Sequence, residues 1–282
     1  MEVNVKTKRV VICADDFGMN RAVNDGILRL AGMGRLSAAS CLVQGPDFTS
    51  DAPALKRSGL ELGLHVNFTE PMGQPGVYCS LGKLIAGTRF HRFDRASLRV
   101  QIVRQLDIFE STLGRAPQFI DGHQHVHQFP QIRDVLLEVL EQRYYASRPW
   151  LRYTGVRAAP GVSLHLRFKA LVIASLGAHR FRELARARGF SLNRGFLGVY
   201  DFEGGRAGYQ RLLELWLRSA RDGDLLMCHP AFGEGACSSL ETQRRAEFDV
   251  LAGEAMGRLL DRHGIKPAPF AATALAGFQA DA

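Results

Sequence analysis

Arg9-Val10-Val11-Ile12-Cys13-Ala14-Asp15-Asp16 decides how the rest of the chain is read. Five apolar residues, Val10 to Ala14, run without polar alternation, which suits a strand covered on both faces. The run ends in two carboxylates. Similar short segments recur at Ala38–Val43, Glu61–Asn67, Gln118–Asp121, Tyr153–Arg157, Phe196–Tyr200, Leu225–Cys228 and, more weakly, Ala268–Ala271. Longer stretches with helical periodicity separate them: Arg21–Met33, Ala52–Ser58, Arg95–Leu113, Pro130–Arg143, Leu164–Arg188, Ala207–Arg221 and Arg244–His263. Repeated strand-then-helix units predict an α/β fold. Its parallel strands would form a distorted βα (TIM-like) barrel, closed or nearly closed, with helices outside. A doubly wound open sheet is the competing architecture, but no strand is followed by GxGxxG or GxxxxGK[ST].

The 282 residues, 46% apolar and 23% charged, suit one domain, 1–282, with its core at about 8–272. Residues 69–93, rich in glycine with two prolines, read as a loop excursion, and 272–282 as a frayed tail. Net charge is +8, and the arginine excess concentrates between Arg143 and Arg194. No basic run is interleaved with aromatics, so a solvated basic surface is favoured over a nucleic-acid interface. The cysteines Cys13, Cys41, Cys79, Cys228 and Cys237 form no CxxC, which argues against a disulfide framework or a thiolate zinc site. A reducing, cytoplasmic setting fits. No stretch reaches membrane-spanning length. The longest apolar run, Ala170–Ala178, reads as a core helix in preference to a membrane-surface one. A homodimer is compatible with all of this.

The polar clusters fall at strand ends: Asp15 and Asp16 on the first, His65 and Asn67 on the third, Asp121 on the fourth, His229 on the seventh. In a parallel βα barrel these ends share one face, where active sites are built. Two carboxylates ending a buried strand are costly unless paired or metal-bound. Adjacent strand residues point opposite ways, so Asp15 and Asp16 are expected to do different jobs. Helix capping is the bland alternative, but Asn20 is the better cap.

Asp121-Gly122-His123-Gln124-His125-Val126-His127 is the densest signal. Imidazole with carboxylate suits zinc and other first-row divalent ions, and magnesium less well. Not all three histidines need be ligands; one can orient another or touch substrate. His229, before Pro230, can serve as a general acid near neutral pH. His91, His165, His179 and His263 read as isolated surface residues.

Ala14-Asp15-Asp16-Phe17-Gly18, Gly63-Leu64-His65, Asp121 to His127 and Met227-Cys228-His229-Pro230 together resemble the YdjC family of carbohydrate deacetylases. That family includes chitooligosaccharide deacetylases and hopanoid-biosynthesis-associated relatives. The resemblance runs in order over about residues 8–272. It implies a barrel related to NodB-type polysaccharide deacetylases and an N-acetylated sugar substrate whose acetyl group is released as acetate. It also implies a divalent metal, given as Mg2+, with Zn2+ the alternative. By position, Asp16, His65 and His123 correspond to the metal ligands, Asp15 to the catalytic base and His229 to the general acid. Asp121, His125, His127 and Asn67 are left as supporting or substrate contacts. Some members carry a histidine where this chain has Gln124. Two other readings compete: a different barrel metallohydrolase such as a phosphoesterase, and a non-catalytic carbohydrate-binding barrel.

Overall fold

The computed structural model describes residues 7–233 and 238–274; Cys237 and most of the 272–282 tail lie outside the described residues. Eight parallel strands form the sheet: β1 (Lys8–Phe17), β2 (Ala38–Cys41), β3 (Glu61–Val66), β4 (Phe119–Gly122), β5 (Trp150–Leu151), β6 (Phe196–Leu197), β7 (Leu225–Cys228) and β8 (Ile265–Pro267). Their order is β5-β4-β3-β2-β1-β7-β6, with β8 beside the start of β1. Between β5 and β6 the backbone bridges among the described residues are Leu151–Leu192 and Val156–Phe196. The sheet is therefore a distorted, nearly closed barrel.

Helices connect the strands: α1 (Arg21–Gly32), α2 (Phe48–Lys56), α3 (Leu81–Arg89), α4 (Arg95–Leu113), α5 (Ile132–Arg143), α6 (Leu164–Ser175), α7 (Ala178–Ala187), α8 (Gly205–Ser219), α9 (Ser239–Ala252), α10 (Glu254–His263) and α11 (Phe270–Ala274). Asn20 caps α1, its side chain accepting from the Val23 amide.

Several expectations are corrected. The fifth strand is Trp150–Leu151, not Tyr153–Arg157. Tyr153 spends its amide and carbonyl on the Asn193 side chain, and only Val156 makes a bridge. The last strand precedes Ala268–Ala271, whose final residues enter α11. The stretch Leu164–Arg188 breaks at Gly177, whose φ is 140° and whose hypothetical Cβ would sit 2.2 Å from the Gln128 carbonyl oxygen. The stretch Arg244–His263 breaks at Gly253, which is extended. The 69–93 excursion holds α3. Finally, α6 is not a core helix. Only Ala170 and Ala174 of its residues are buried.

Strand parity sorts the core into two layers. Val10, Ile12, Ala14, Leu62, Leu64, Ile120 and Leu226 face the helices. Val11, Cys13, Ala38, Phe119, Trp150, Phe196, Leu225 and Met227 fill the inside of the curled sheet. Phe119, Trp150 and Phe270 stack there at 4.5 and 4.7 Å. Gly63 has no side chain because the Phe119 ring occupies the space; a Cβ would lie 2.3 Å from it.

Candidate active site

One more step along the inward parity of each strand reaches the polar layer. Val11 and Cys13 lead to Asp15, Ala38 to Ser40, Gly63 to His65, Phe119 to Asp121, Trp150 to Arg152, and Met227 to His229. All lie at the C-terminal ends of the strands. Asp16 has the wrong parity and would point at the helices. A bulge corrects this: β1 pairs Ala14 with Ala39 but Phe17 with Cys41, so β1 carries one extra residue. Asp16 takes it up with a left-handed φ of 72°. Such strain costs a non-glycine residue about 1–3 kcal/mol and is concentrated at functional sites. The expected opposite orientation of the two carboxylates is thus overridden, and both line one cavity of about 280 Å³.

Asp16, His65 and His123 each offer one donor atom, all within 4.8 Å of one another. Asp16 Oδ1 lies 2.9 Å from His123 Nδ1 and 3.4 Å from His65 Nε2. A cation bonded at about 2.1 Å spaces its donors by roughly 3–3.4 Å, so the trio fits a divalent ion. Asp121 sits behind it. Its Oδ1 accepts from His65 Nδ1 at 2.7 Å, and Ser40 Oγ lies 2.9 Å from the same nitrogen and donates to the same carboxylate. That bond fixes the ring so that Nε2 points at Asp16.

Electrostatics agree with a cation site. Burial raises the Asp16 carboxyl, but Arg244 and His123 outweigh it and hold it well below the usual carboxylate range. Burial pushes the His65 imidazole down, yet Asp121 and Asp15 win and lift it to about 10. A proton held that firmly between carboxylates marks a place that favours positive charge, and a metal would compete with it.

Asp15 belongs to a different network. Arg152, fully buried, donates to both of its oxygens at 2.6 Å and also pairs with Asp121 Oδ2. Arg152 Nη2 reaches Cys13 Sγ at 3.1 Å as well. Cys13, Asp15 and Asp121 are close enough to resemble a second metal trio, but the cation among them is this guanidinium. His229 Nε2 stands 4.0 Å from Asp15 Oδ2. Burial lowers the His229 imidazole to about 4, so it is neutral near pH 7. Its expected readiness as an acid at neutral pH therefore needs a proton from elsewhere. Its backbone amide donates to Glu247 Oε2 at 2.7 Å.

The three clustered histidines separate. His123 opens a 3₁₀ turn (His123–Gln128) in which Gln124 and His125 are both left-handed, with φ of 51° and 62°. His125 lines the cavity edge-on to Phe196, and its buried Nδ1 has no partner among the described residues. His127 is buried away from the cavity: Nε2 lies 2.9 Å from the Arg152 carbonyl, and the ring packs on Phe181. Asn67 also stays outside the cavity lining. Its side chain accepts from the Thr69 and Glu70 amides and donates to Gln44, bracing the loop.

Sequence reasoning missed Ser40, Arg152, Lys169, Arg244 and Glu247. Arg152 obeys the strand-end rule, but the sequence pattern puts its strand at Tyr153–Arg157, three residues past the observed start at Trp150. Arg244 and Glu247 come from one face of α9, and nothing local distinguishes them from other helix polar residues.

A nearly closed parallel βα barrel carries at its C-terminal mouth a carboxylate–imidazole trio able to hold a divalent cation and, beside it, a separately clamped aspartate. The chain belongs to the YdjC-like protein family, whose model matches residues 9–262. A human carbohydrate deacetylase is 34% identical over 146 residues, 47% of this chain and 45% of that protein. The mouse relative matches similarly, so the alignment spans about half the length of these two proteins. A chitooligosaccharide deacetylase of Salmonella paratyphi B is 26% identical over 275 residues, covering 93% of this chain and 97% of that one. A crystal structure from Enterococcus faecalis, provisionally named a cellobiose-phosphate cleavage protein, shares the fold with a TM-score of 0.67 at 20% identity, covering 95% and 99% of the two chains.

Proposed function

We propose that this chain is a metal-dependent N-deacetylase that removes the acetyl group of an N-acetylated amino sugar or chitooligosaccharide. The observation that carries the reading is the division of labour between the two adjacent carboxylates. Asp16 shares a trio with His65 and His123, while Arg152 clamps Asp15 beside His229. Relatives named for carbohydrate and chitooligosaccharide deacetylation support the substrate class.

Asp16, His65 and His123 would hold a divalent cation. Such an ion acts as a Lewis acid toward the acetamide oxygen and makes water a better nucleophile. The family resemblance favours magnesium; the two imidazoles favour zinc or another first-row ion. Asp15, fixed in orientation by Arg152, takes the proton of the attacking water. Oxygen bonds to the acetyl carbon, the carbon–nitrogen bond breaks, and the amine leaves with a proton from His229. Because His229 starts neutral, it collects that proton first, and Asp15 at 4.0 Å is placed to hand it over. The products are acetate and the free amino sugar. Lys169 and Arg244, the other cations at the cavity, already pair with Asp201 and Asp16, which leaves less charge to clamp a phosphoryl group. The four described cysteines are free, in keeping with a reducing, cytoplasmic setting.

The test is acetate release from N-acetylglucosamine and its oligomers with magnesium, zinc, cobalt or chelator. Metal-dependent acetate release that Asp15→Asn removes is expected. Phosphate release from sugar phosphates with no acetate from any acetylated sugar would overturn the reading.

A further inference from the structure

We propose that the exposed face of α6 docks on an anionic lipid bilayer. Leu164, Phe168, Leu171 and Val172 are 78%, 66%, 60% and 41% exposed. At about 100° per residue they share one stripe roughly 100° wide, with Ser175 inside it. Arg167, exposed beside that stripe, has no carboxylate partner among the described residues. The opposite face holds Ala170 and Ala174 against the barrel. Isolated surface leucines need no explanation, but four large apolar side chains aligned on one helix do.

Charge selects the occupant. Residues 143–194 carry ten arginines and Lys169 against a single acid, Glu183, a net of +10. The whole chain is +8, so everything outside this segment sums to −2. Arg143, Arg152, Arg157, Lys169 and Arg188 pair with acids outside the segment and Arg180 with Glu183, which leaves Arg148, Arg167, Arg182, Arg186 and Arg194 without a carboxylate partner among the described residues, Arg167 on α6 itself. An apolar stripe within a basic region is the composition of a helix lying in the plane of a bilayer interface, apolar side down and arginines at headgroup level. A twofold dimer through the same face would bring two positive segments together, which disfavours a second copy. No described helix is long and apolar enough to cross a membrane, so the contact is peripheral. The docking helix is also a wall of the catalytic cavity, through Lys169 and Ile173. The catalytic mouth would then sit within about one helix diameter, 10–12 Å, of the headgroups.

The test is co-sedimentation of the full chain with phosphatidylcholine vesicles containing about one-third phosphatidylglycerol, against phosphatidylcholine alone, at low and high salt. The expected result is at least ten-fold stronger partitioning onto the anionic vesicles, weakened by salt. Phe168→Asp/Leu171→Asp should lower it at least ten-fold, and Arg167→Glu about five-fold, both with unchanged circular dichroism and acetate release from a soluble oligosaccharide. These positions are exposed and outside the catalytic cavity lining, so folding should survive. Wild-type protein that stays in the supernatant with both vesicle types overturns the proposal. So do variants that sediment like wild type, and so does a dimer, seen by light scattering, that the aspartate pair dissociates.

Discussion

Arg152 donates to both carboxylate oxygens of Asp15 at 2.6 Å, and the pair is almost completely buried. The same guanidinium pairs with Asp121, which in turn orients His65. One side chain thus joins the candidate base to the candidate metal trio. Removing it leaves the buried Asp15 without its guanidinium and Asp121 with His65 as its remaining countercharge. Arg152→Met should cost about 3–5 kcal/mol in urea unfolding. Arg152→Lys should fold better but lose turnover, because a single ammonium cannot span both oxygens of Asp15 and also reach Asp121. Wild-type acetate release from the lysine variant would mean that Asp15 needs no bidentate clamp.

Asp121 should matter through His65, not through the substrate. Asp121→Asn removes the charged partner of His65 Nδ1 and permits the amide to present its donor there. Metal affinity should fall about 10–100-fold while the barrel stays folded. Isothermal titration with zinc and with magnesium reads this directly. An unchanged dissociation constant for both ions would remove Asp121 from the site's supporting cast.

Much of this site was legible because a parallel barrel collects its strand ends on one face. Asp15, Asp16, His65, Asp121 and His229 each follow an apolar run, and the fold alone brings them together. What escaped were features that need three dimensions. The bulge that turns Asp16 inward leaves no mark in Ala14-Asp15-Asp16-Phe17. Arg152 was obscured because β5 is only two residues long and Tyr153 bonds sideways to Asn193. Arg244 and Glu247 arrive from α9, where polar residues are the norm. The apolar run in α6 implies burial by hydropathy, but hydropathy reports composition, and the packing covers only the face of Ala170 and Ala174.

The alternating histidines should behave differently when replaced singly. His123→Ala removes a donor of the trio and should abolish stoichiometric metal binding. His127→Gln should keep the metal, since His127 faces Phe181 and the Arg152 carbonyl, and should instead lose about 1–3 kcal/mol of stability. His125→Gln should also keep the metal and change KM more than metal content, because its ring lines the cavity without joining the trio. Metal analysis of the three purified variants decides the matter; metal lost from His127→Gln and retained by His123→Ala would reverse the assignment.

Glu247 should give the protein a distinctive pH dependence. Burial pushes its carboxyl up from an ordinary 4.5 to about 7, although the His229 amide and the Tyr200 hydroxyl donate to it. Between those values the native state binds this proton more tightly than the unfolded chain does. The resulting stabilisation is full below pH 4.5 and lost as pH rises to about 7, a change of about 3 kcal/mol. His229 works the other way. Its native value of about 4 lies below the ordinary 6.5, so the unfolded chain binds the proton more tightly, and stability falls as pH drops through that window. The two contributions nearly cancel in the wild type. Glu247→Gln keeps an uncharged acceptor and removes one of them. Its unfolding free energy, measured in urea and compared with wild type, should therefore improve by up to about 3 kcal/mol from pH 4.5 to pH 8. His229→Gln should show the opposite slope. Parallel pH profiles for Glu247→Gln and wild type would mean that the buried carboxyl ionises normally in the folded protein.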